Sequence, residues 1–150
     1  MRLSTKGRYA VTAMFDLALH EQDGPVPLTE ISTCQTISLS YLEQLFAKLR
    51  KHELVVGVRG VGGGYRLARP ATEISIADIL RAVDEKVDVS RAAQKGDPAQ
   101  ALWIEFSEQL YSYLDHRTLA DCISSPYAQR ISARQDGENA RGIFTRQDAA

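Results

Sequence analysis

The sequence is poor in cysteine and contains no long hydrophobic run. Its two cysteines, Cys34 and Cys122, are too few for a disulfide framework or a four-thiolate zinc site, and they are typical of a reducing cytoplasm. No apolar run approaches the roughly 18 residues that a membrane span needs. The start, Met1-Arg2-Leu3, lacks the apolar core of a signal peptide. We therefore expect a cytoplasmic protein that does not associate with membranes.

Residue patterns that support catalysis or cofactor binding are also missing. The three histidines, His20, His52 and His116, stand apart from one another, so no Ser/His/Asp, Cys/His or metal-ligand spacing is found. The glycine-rich run 60–64 is not followed by Lys and Ser/Thr, and Tyr65 replaces the third glycine of a dinucleotide-binding loop. We expect no enzyme, no metal site and no nucleotide site.

Basic residues are absent between residues 10 and 47, which gives the chain a segregated charge pattern. The 150 residues are 44% hydrophobic and 25% charged with a net charge of −1, typical of one compact soluble domain. Residues 1–9 carry three basic and no acidic residues, and residues 48–69 carry six basic residues against Glu53 alone. If these segments meet in space, they form the basic face of a nucleic-acid-binding protein. The alternative is a set of scattered, solvated side chains.

Apolar residues recur at helical spacing through the first fifty residues. An apolar stripe predicts a helix from Arg8 to about Glu21, ended by Gly24-Pro25. A short helix follows Pro27, and Ser38 is the predicted N-cap of a third helix that reaches about His52. The apolar stripe of this third helix consists of Leu39, Leu42, Leu45, Phe46 and Leu49. A short helix, a tight turn and a longer helix form a helix-turn-helix.

A β-hairpin is predicted directly after the helix-turn-helix. Residues 55–59 and 65–68 read as strands around the glycine-rich tip, and a hairpin in this position is a wing. Ser75 with Asp78 resembles a capping box that opens a further helix. The fold class is therefore mainly α with a small β-hairpin wing, and residues 1–85 form a winged helix-turn-helix DNA-binding domain.

A long helix is predicted in the last third of the chain. Asp97-Pro98 supplies an N-cap and a first-turn proline for a helix that runs to about His116, and Thr118 with Asp121 caps a short helix behind it. Apolar residues three and four apart indicate packing against a partner, as a dimer interface or as domain core; we assign residues 98–124 to a dimerisation region. Residues 86–97 read as a loop and residues 125–150 as a largely disordered tail. The predicted dimerisation residues are Leu102, Trp103, Phe106, Leu110, Tyr113 and Leu114.

The helix after Ser38 carries polar residues opposite its apolar stripe, as a recognition helix in the DNA major groove does. The Ser38 and Ser40 hydroxyls suit phosphate oxygens, and Gln44 can engage adenine. Glu43 can accept a hydrogen bond from cytosine and penalise other sites; the alternative is a solvated surface glutamate. Arg59, beside the glycines, suits an adjacent minor groove, unless it is only an exposed strand-end residue. The predicted DNA-binding residues are Arg2, Ser38, Ser40, Tyr41, Glu43, Gln44, Lys48, Lys51 and Arg59.

Four stretches of the chain, MRLSTKGRYAVTAM, ISLSYLEQLF, LRK and VRGVGGGYRLA, resemble the IscR family of bacterial winged-helix transcription regulators. The resemblance runs to about Val89 and resumes at Ala101-Leu102-Trp103. It implies a homodimeric cytoplasmic repressor or activator of iron–sulfur cluster biogenesis or stress genes. It also implies that the partner is double-stranded promoter DNA, with RNA polymerase as a further candidate partner. The DNA contacts it implies are at Ser38, Ser40, Tyr41, Glu43, Gln44 and Arg59.

The chain departs from that family in the loop before the long helix. Relatives that bind a 2Fe-2S cluster carry three cysteines there, with a histidine as the fourth ligand in IscR itself. Residues 87–100 contain neither residue type and are several residues shorter. Iron–sulfur clusters need thiolate-rich coordination, so either this is a cluster-free form, for which we expect no cofactor, or part of that loop is missing from the sequence. Cys34 is more easily explained as a small buried hydrophobic residue than as a redox sensor.

A protein-interaction module is the competing interpretation, since a winged helix can serve as a scaffold without binding DNA. Such a module has no need to concentrate six basic residues between Lys48 and Arg69. DNA binding explains these basic residues better. We expect a dimer, because one recognition helix covers too few base pairs, and two helices about 34–36 Å apart can read paired half-sites.

Overall fold

A computed structural model of the chain describes residues 4–83, 95–126 and 128. Over these residues the protein is mainly helical, with one two-stranded antiparallel sheet, which confirms the predicted fold class. Arg2, most of the predicted loop 86–97 and nearly all of the predicted tail 125–150 lie outside the described residues. The helices are α1 (Thr5–His20), α2 (Leu28–Gln35), α3 (Leu39–Lys51), α4 (Ile76–Ala82), α5 (Gln100–His116) and α6 (Leu119–Ile123), and the strands are β1 (Val55–Val58) and β2 (Gly64–Leu67).

Helix α1 begins earlier than its apolar stripe predicts. The Ser4 side chain accepts a hydrogen bond from the Gly7 backbone N–H at 3.3 Å, and this N-cap allows the helix to start at Thr5 instead of Arg8. Near the other end, the buried Asp16 carboxylate accepts from the Gln35 amide of α2 at 2.6 Å and contacts His20 Nδ1 at 3.1 Å. A buried carboxylate needs such partners, so this contact fixes α1 against α2.

The turn between α2 and α3 is closed by local hydrogen bonds. Thr36 adopts the left-handed conformation with φ 55° at the end of α2, and Ser32 Oγ donates to the Ile37 carbonyl at 2.6 Å. Ser38 is the N-cap of α3, as predicted, and accepts from the Tyr41 N–H at 3.2 Å. The predicted apolar stripe of α3 is correct except for Leu39, which is 37% exposed because it lies in the first turn, ahead of the buried positions.

The wing is held on both sides of its second strand. Strand β1 pairs with β2 in the register Val55↔Leu67 to Val58↔Gly64. The outer edge of β2 exchanges two backbone hydrogen bonds of 2.9 Å between Val26 and Tyr65. A Cβ atom on Gly64 would collide with the Val26 backbone, so glycine allows this close approach. The hairpin is therefore joined to the segment that precedes α2.

The C-terminal helices pack against the winged helix-turn-helix. The capping boxes of Ser75 with Asp78 and of Thr118 with Asp121 are both present, and an isolated antiparallel bridge joins Ser75 to Thr118. The prediction that Asp97 caps α5 directly is wrong, because α5 starts at Gln100. The Asp97 carboxylate instead accepts from the Ala99 N–H at 2.8 Å in the preceding turn.

One hydrophobic core connects these helices. Most of its side chains come from α1, the helix-turn-helix, α4 and α6, and Leu54 and Ile74 come from the connections between elements. Each of the following side chains is at most 1% exposed. They are Met14, Leu17, Ile31, Leu42, Phe46, Leu49, Leu54, Ile74, Ile79, Leu80 and Leu119. Leu110, Tyr111 and Leu114 of α5 pack on its edge. The core thus orients α3 so that its opposite face points to solvent.

Candidate nucleic-acid interface

The outward face of α3 carries most of the predicted recognition residues. Ser38, Ser40, Glu43, Gln44 and Lys51 are exposed, whereas Leu42, Leu45, Phe46 and Leu49 on the other face are buried. The first backbone N–H groups of the helix, which have no partner within the helix itself, lie beside the two serines, and that of Tyr41 donates to Ser38 Oγ. This face therefore offers hydroxyl, amide, carboxylate and ammonium groups to a ligand.

Tyr41 and Lys48 are less exposed than their neighbours on this face. Both are half-buried, and the Tyr41 ring packs against the core and meets Tyr9 of α1 edge to face, with ring centroids 5.8 Å apart. The aromatic pair places the start of α1, including exposed Arg8, beside the first turns of α3. The helical spacing places Tyr41 on the outward face of α3. It does not predict the contact with Tyr9, because residues far apart in the sequence leave no local pattern.

The wing and the end of α3 share an open groove. It is lined by Arg50, Val56, Val58, Arg59 and Tyr65, together with Gly57 and Gly64. The Tyr65 ring lies 4.9 Å from the Phe46 ring of α3, and this packing fixes the wing beside the recognition helix. Arg50 and Arg59 therefore line the same groove as apolar side chains at the junction of α3 and the hairpin.

Arg50 lies at this site but is not among the DNA-binding residues predicted from the sequence. It is exposed at the end of α3 and lines the same groove as Arg59. The available signal was its position in the basic segment 48–69, but the sequence alone did not show which of those six side chains would face the wing.

The predicted dimerisation residues divide into two groups on α5. Leu110 and Leu114 are half-buried against the core of their own chain. The others remain exposed: Leu102, Trp103, Phe106 and Tyr113. At about 100° per residue, Leu102, Phe106 and Tyr113 fall within roughly 40° of one another around the helix. Helix α5 therefore presents an apolar face that no other described residue of the chain covers.

The donor set does not fit an iron–sulfur cluster. The whole chain has two cysteines, and they lie on different helices, Cys34 on α2 and Cys122 on α6. Burial raises the pKa of the Cys122 thiol, which disfavours the thiolate that binds iron. Within residues 4–83, 95–126 and 128, no three His, Cys, Asp or Glu side chains are grouped so as to hold a metal ion. Cys34 is half-buried and thus less buried than predicted.

Among the helices of the described ranges, none is both long and apolar enough to cross a membrane.

Comparison with known proteins gives consistent matches over most of the chain. The model of the Rrf2 family, described as an iron-dependent transcriptional regulator, matches residues 3–125. The HTH-type transcriptional regulator IscR of Yersinia enterocolitica is 49% identical over 148 residues, 94% of this chain and 90% of the relative. The IscR of Sodalis glossinidius is 50% identical over 150 residues, 95% of this chain and 91% of the relative.

Two solved structures share both fold and sequence with the chain. T. potens IscR is 41% identical with a TM-score of 0.71, and the match covers 82% of this chain and 86% of that one. CymR, the global cysteine regulator of B. subtilis, is 36% identical with a TM-score of 0.72, covering 83% and 97%.

Proposed function

The chain belongs to the Rrf2 family of transcriptional regulators and is similar to IscR within it, and we propose that it binds double-stranded promoter DNA through α3 and the wing. One observation carries this proposal: the exposed polar face of α3 continues into a groove bordered by Arg50 and Arg59. A protein-interaction module is not favoured, because the curated relatives are named transcriptional regulators.

Helix α3 enters the major groove in this proposal and presents its first turns to the DNA. Ser38 Oγ accepts from the Tyr41 N–H, which leaves its own O–H to donate to a phosphate oxygen. Ser40 adds a second hydroxyl. Gln44 engages adenine and Glu43 accepts from cytosine, and an unpaired Glu43 carboxylate disfavours sites without that cytosine. Tyr41, held by Tyr9, offers its hydroxyl beside them.

The basic side chains supply affinity that does not depend on sequence. Lys48 and Lys51 near the end of α3, with Arg2 ahead of α1, are assigned to phosphates. Arg59 reaches the adjacent minor groove from the wing. Arg50 faces the same groove as Arg59, so we add it as a contact to the DNA strand that passes between helix and wing.

We further propose that the regulator is a homodimer joined through α5. Residues 1–85 then form the DNA-binding domain and residues 98–124 the dimerisation region, with residues 86–97 linking the two and residues 125–150 as a tail. The exposed apolar face of Leu102, Phe106 and Tyr113 supports this, because such a face is stabilised when a second copy covers it. Two copies bring two α3 helices to the half-sites of a palindrome.

The matching family is described as an iron-dependent transcriptional regulator. We propose that this chain nevertheless acts without a 2Fe-2S cluster, since its two thiols do not form a cluster site. It acts in the cytoplasm without catalysing a reaction. Genes of iron–sulfur cluster biogenesis or stress response are the proposed targets. Repression or activation, including contact with RNA polymerase, depends on where the bound site lies in the promoter.

Fluorescence anisotropy with a palindromic promoter fragment and a random duplex tests the proposal. We expect tight binding to the palindrome alone, with log affinity falling linearly against log salt. Arg59→Ala and Arg50→Ala are each expected to weaken binding, and the salt slope is expected to fall by about 0.9 for each phosphate that the variant no longer neutralises. Lys95→Ala, which removes an exposed charge ahead of α5, is the matched control and should change neither quantity. Equal, weak binding to both duplexes would contradict sequence-specific control.

A further inference from the structure

Glu21 occupies an unfavourable place for a carboxylate. It is the C-cap residue of α1, where its N–H donates to the Leu17 carbonyl. The C-terminal end of a helix carries partial negative charge from unpaired carbonyls, so an acidic side chain there is repelled. A glutamate at this position therefore calls for a compensating contact elsewhere.

The compensating contact is made with the wing. Glu21 Oε2 accepts a hydrogen bond of 2.8 Å from the Leu67 backbone N–H, 46 residues along the chain. On the same outer edge of β2, two residues away, Tyr65 is paired with the Val26 backbone. The segment from Glu21 to Val26 thus completes the edge of β2, first through a side chain and then through the backbone.

We propose that Glu21 is a positioning residue for DNA binding, which sets the wing, and with it Arg59, relative to the recognition helix; this rests on the function proposed above. A two-stranded hairpin is only marginally stable by itself, so its orientation depends on the contacts at its base. The charge-assisted bond from Glu21 anchors β2 at Leu67, the end of the strand farthest from the tip. Arg59 lies at the other end, next to the glycines of the turn.

The sign of the effect separates this role from simple electrostatics. Removing a negative charge near a DNA-binding surface is expected to tighten binding to the polyanion. Glu21→Ala is instead expected to weaken binding, by about tenfold or more, as the loss of one charge-assisted hydrogen bond implies. Glu21→Gln retains an acceptor oxygen and should stay close to the wild type. Asp23→Ala removes an exposed carboxylate from the same short turn and should bind equally or more tightly.

A double-mutant cycle with Arg59→Ala tests whether the effect passes through the wing. We expect Glu21→Ala to reduce DNA affinity only slightly in the Arg59→Ala background. If the two residues acted independently, the losses of binding free energy from the two substitutions would be additive. If the alanine variant does not fold, Glu21→Met keeps the side-chain length without an acceptor oxygen and replaces it in the cycle. An equal loss in both backgrounds, or tighter binding by Glu21→Ala, would overturn the proposal.

The free protein provides a readout that does not need DNA. In the wild type the Leu67 amide is expected to exchange slowly with solvent, and Glu21→Ala should accelerate this exchange and raise the mobility of Gly62 at the tip. Unchanged exchange and mobility would refute the positioning role even if specific DNA binding is established. Absence of specific binding in the wild type would instead refute the function, and these two measurements would still decide whether Glu21 holds the wing.

Discussion

Phe106 gives the most quantitative prediction, because it lies on the uncovered face of α5. It is 47% exposed in the single chain. An aromatic side chain buries about 150–250 Å² when it is covered, so roughly half of that, about 90 Å², is available for an interface. At about 25 cal/mol per Å² this corresponds to about 2 kcal/mol per protomer. A two-fold interface contains the residue twice, and Phe106→Ala is expected to weaken dimerisation by about 4 kcal/mol, close to a thousandfold in Kd.

Sedimentation velocity over a range of protein concentrations measures this change. Glu108→Ala, exposed on the same helix and directed away from Phe106 by helical geometry, is the matched control and should remain dimeric. Leu114→Ala should instead lower the free energy of unfolding by about 1–3 kcal/mol, because Leu114 packs on the core of its own chain. A folded Phe106→Ala variant with an unchanged dimer Kd would show that this face does not join the two copies.

Three further variants test separate parts of the molecule. Glu43→Ala should broaden the set of DNA sites recovered from a randomised pool; complete loss of binding with an intact fold would contradict its role as a specificity filter. The Arg81 guanidinium, which bonds both oxygens of Asp115 at 2.9 Å, lowers the pKa of that carboxyl. The pair therefore stabilises the fold above the carboxyl's usual pKa and loses this effect on acidification. Asp115→Asn should cost about 0.2–1 kcal/mol at neutral pH for this exposed pair, and the difference from wild type in urea unfolding should shrink as the pH falls below the usual pKa of an aspartate carboxyl. Leu119→Ala, at a fully buried position of α6, should lower the free energy of unfolding by about 2–5 kcal/mol; a smaller loss would mean that α6 is not part of the cooperative core.

Local signals were sufficient for most of the fold. Ser38, the two capping boxes and the glycine-rich turn each act through hydrogen bonds or backbone angles within a few residues. The elements they delimit appear where the sequence predicts them. The predicted start of α5, directly after Asp97, is too early, because an aspartate followed by proline can also close a turn before a helix, as Asp97 does.

Long-range contacts explain what the sequence could not show. The partial burial of Tyr41 depends on Tyr9, 32 positions earlier, and the importance of Glu21 depends on an amide in the wing. Arg50 becomes a candidate only when the hairpin folds back beside α3. The apolar spacing of α5 predicts a packed helix. It does not show which apolar residues pack on the same chain and which on a partner, because both kinds of contact require the same residue types.

The glycines at the base of the wing tip also determine how this regulator can diverge. A side chain on Gly63 would strike the Val58 carbonyl, and one on Gly64 would strike the backbone of Val26, so these two positions are closed to other amino acids. Val61, which lies between Arg59 and these glycines in the sequence, is fully exposed, so its replacement meets no such steric clash. If the wing contacts DNA as proposed, new operator preferences are expected to arise by replacing the outermost side chains of the loop while its glycine framework stays unchanged.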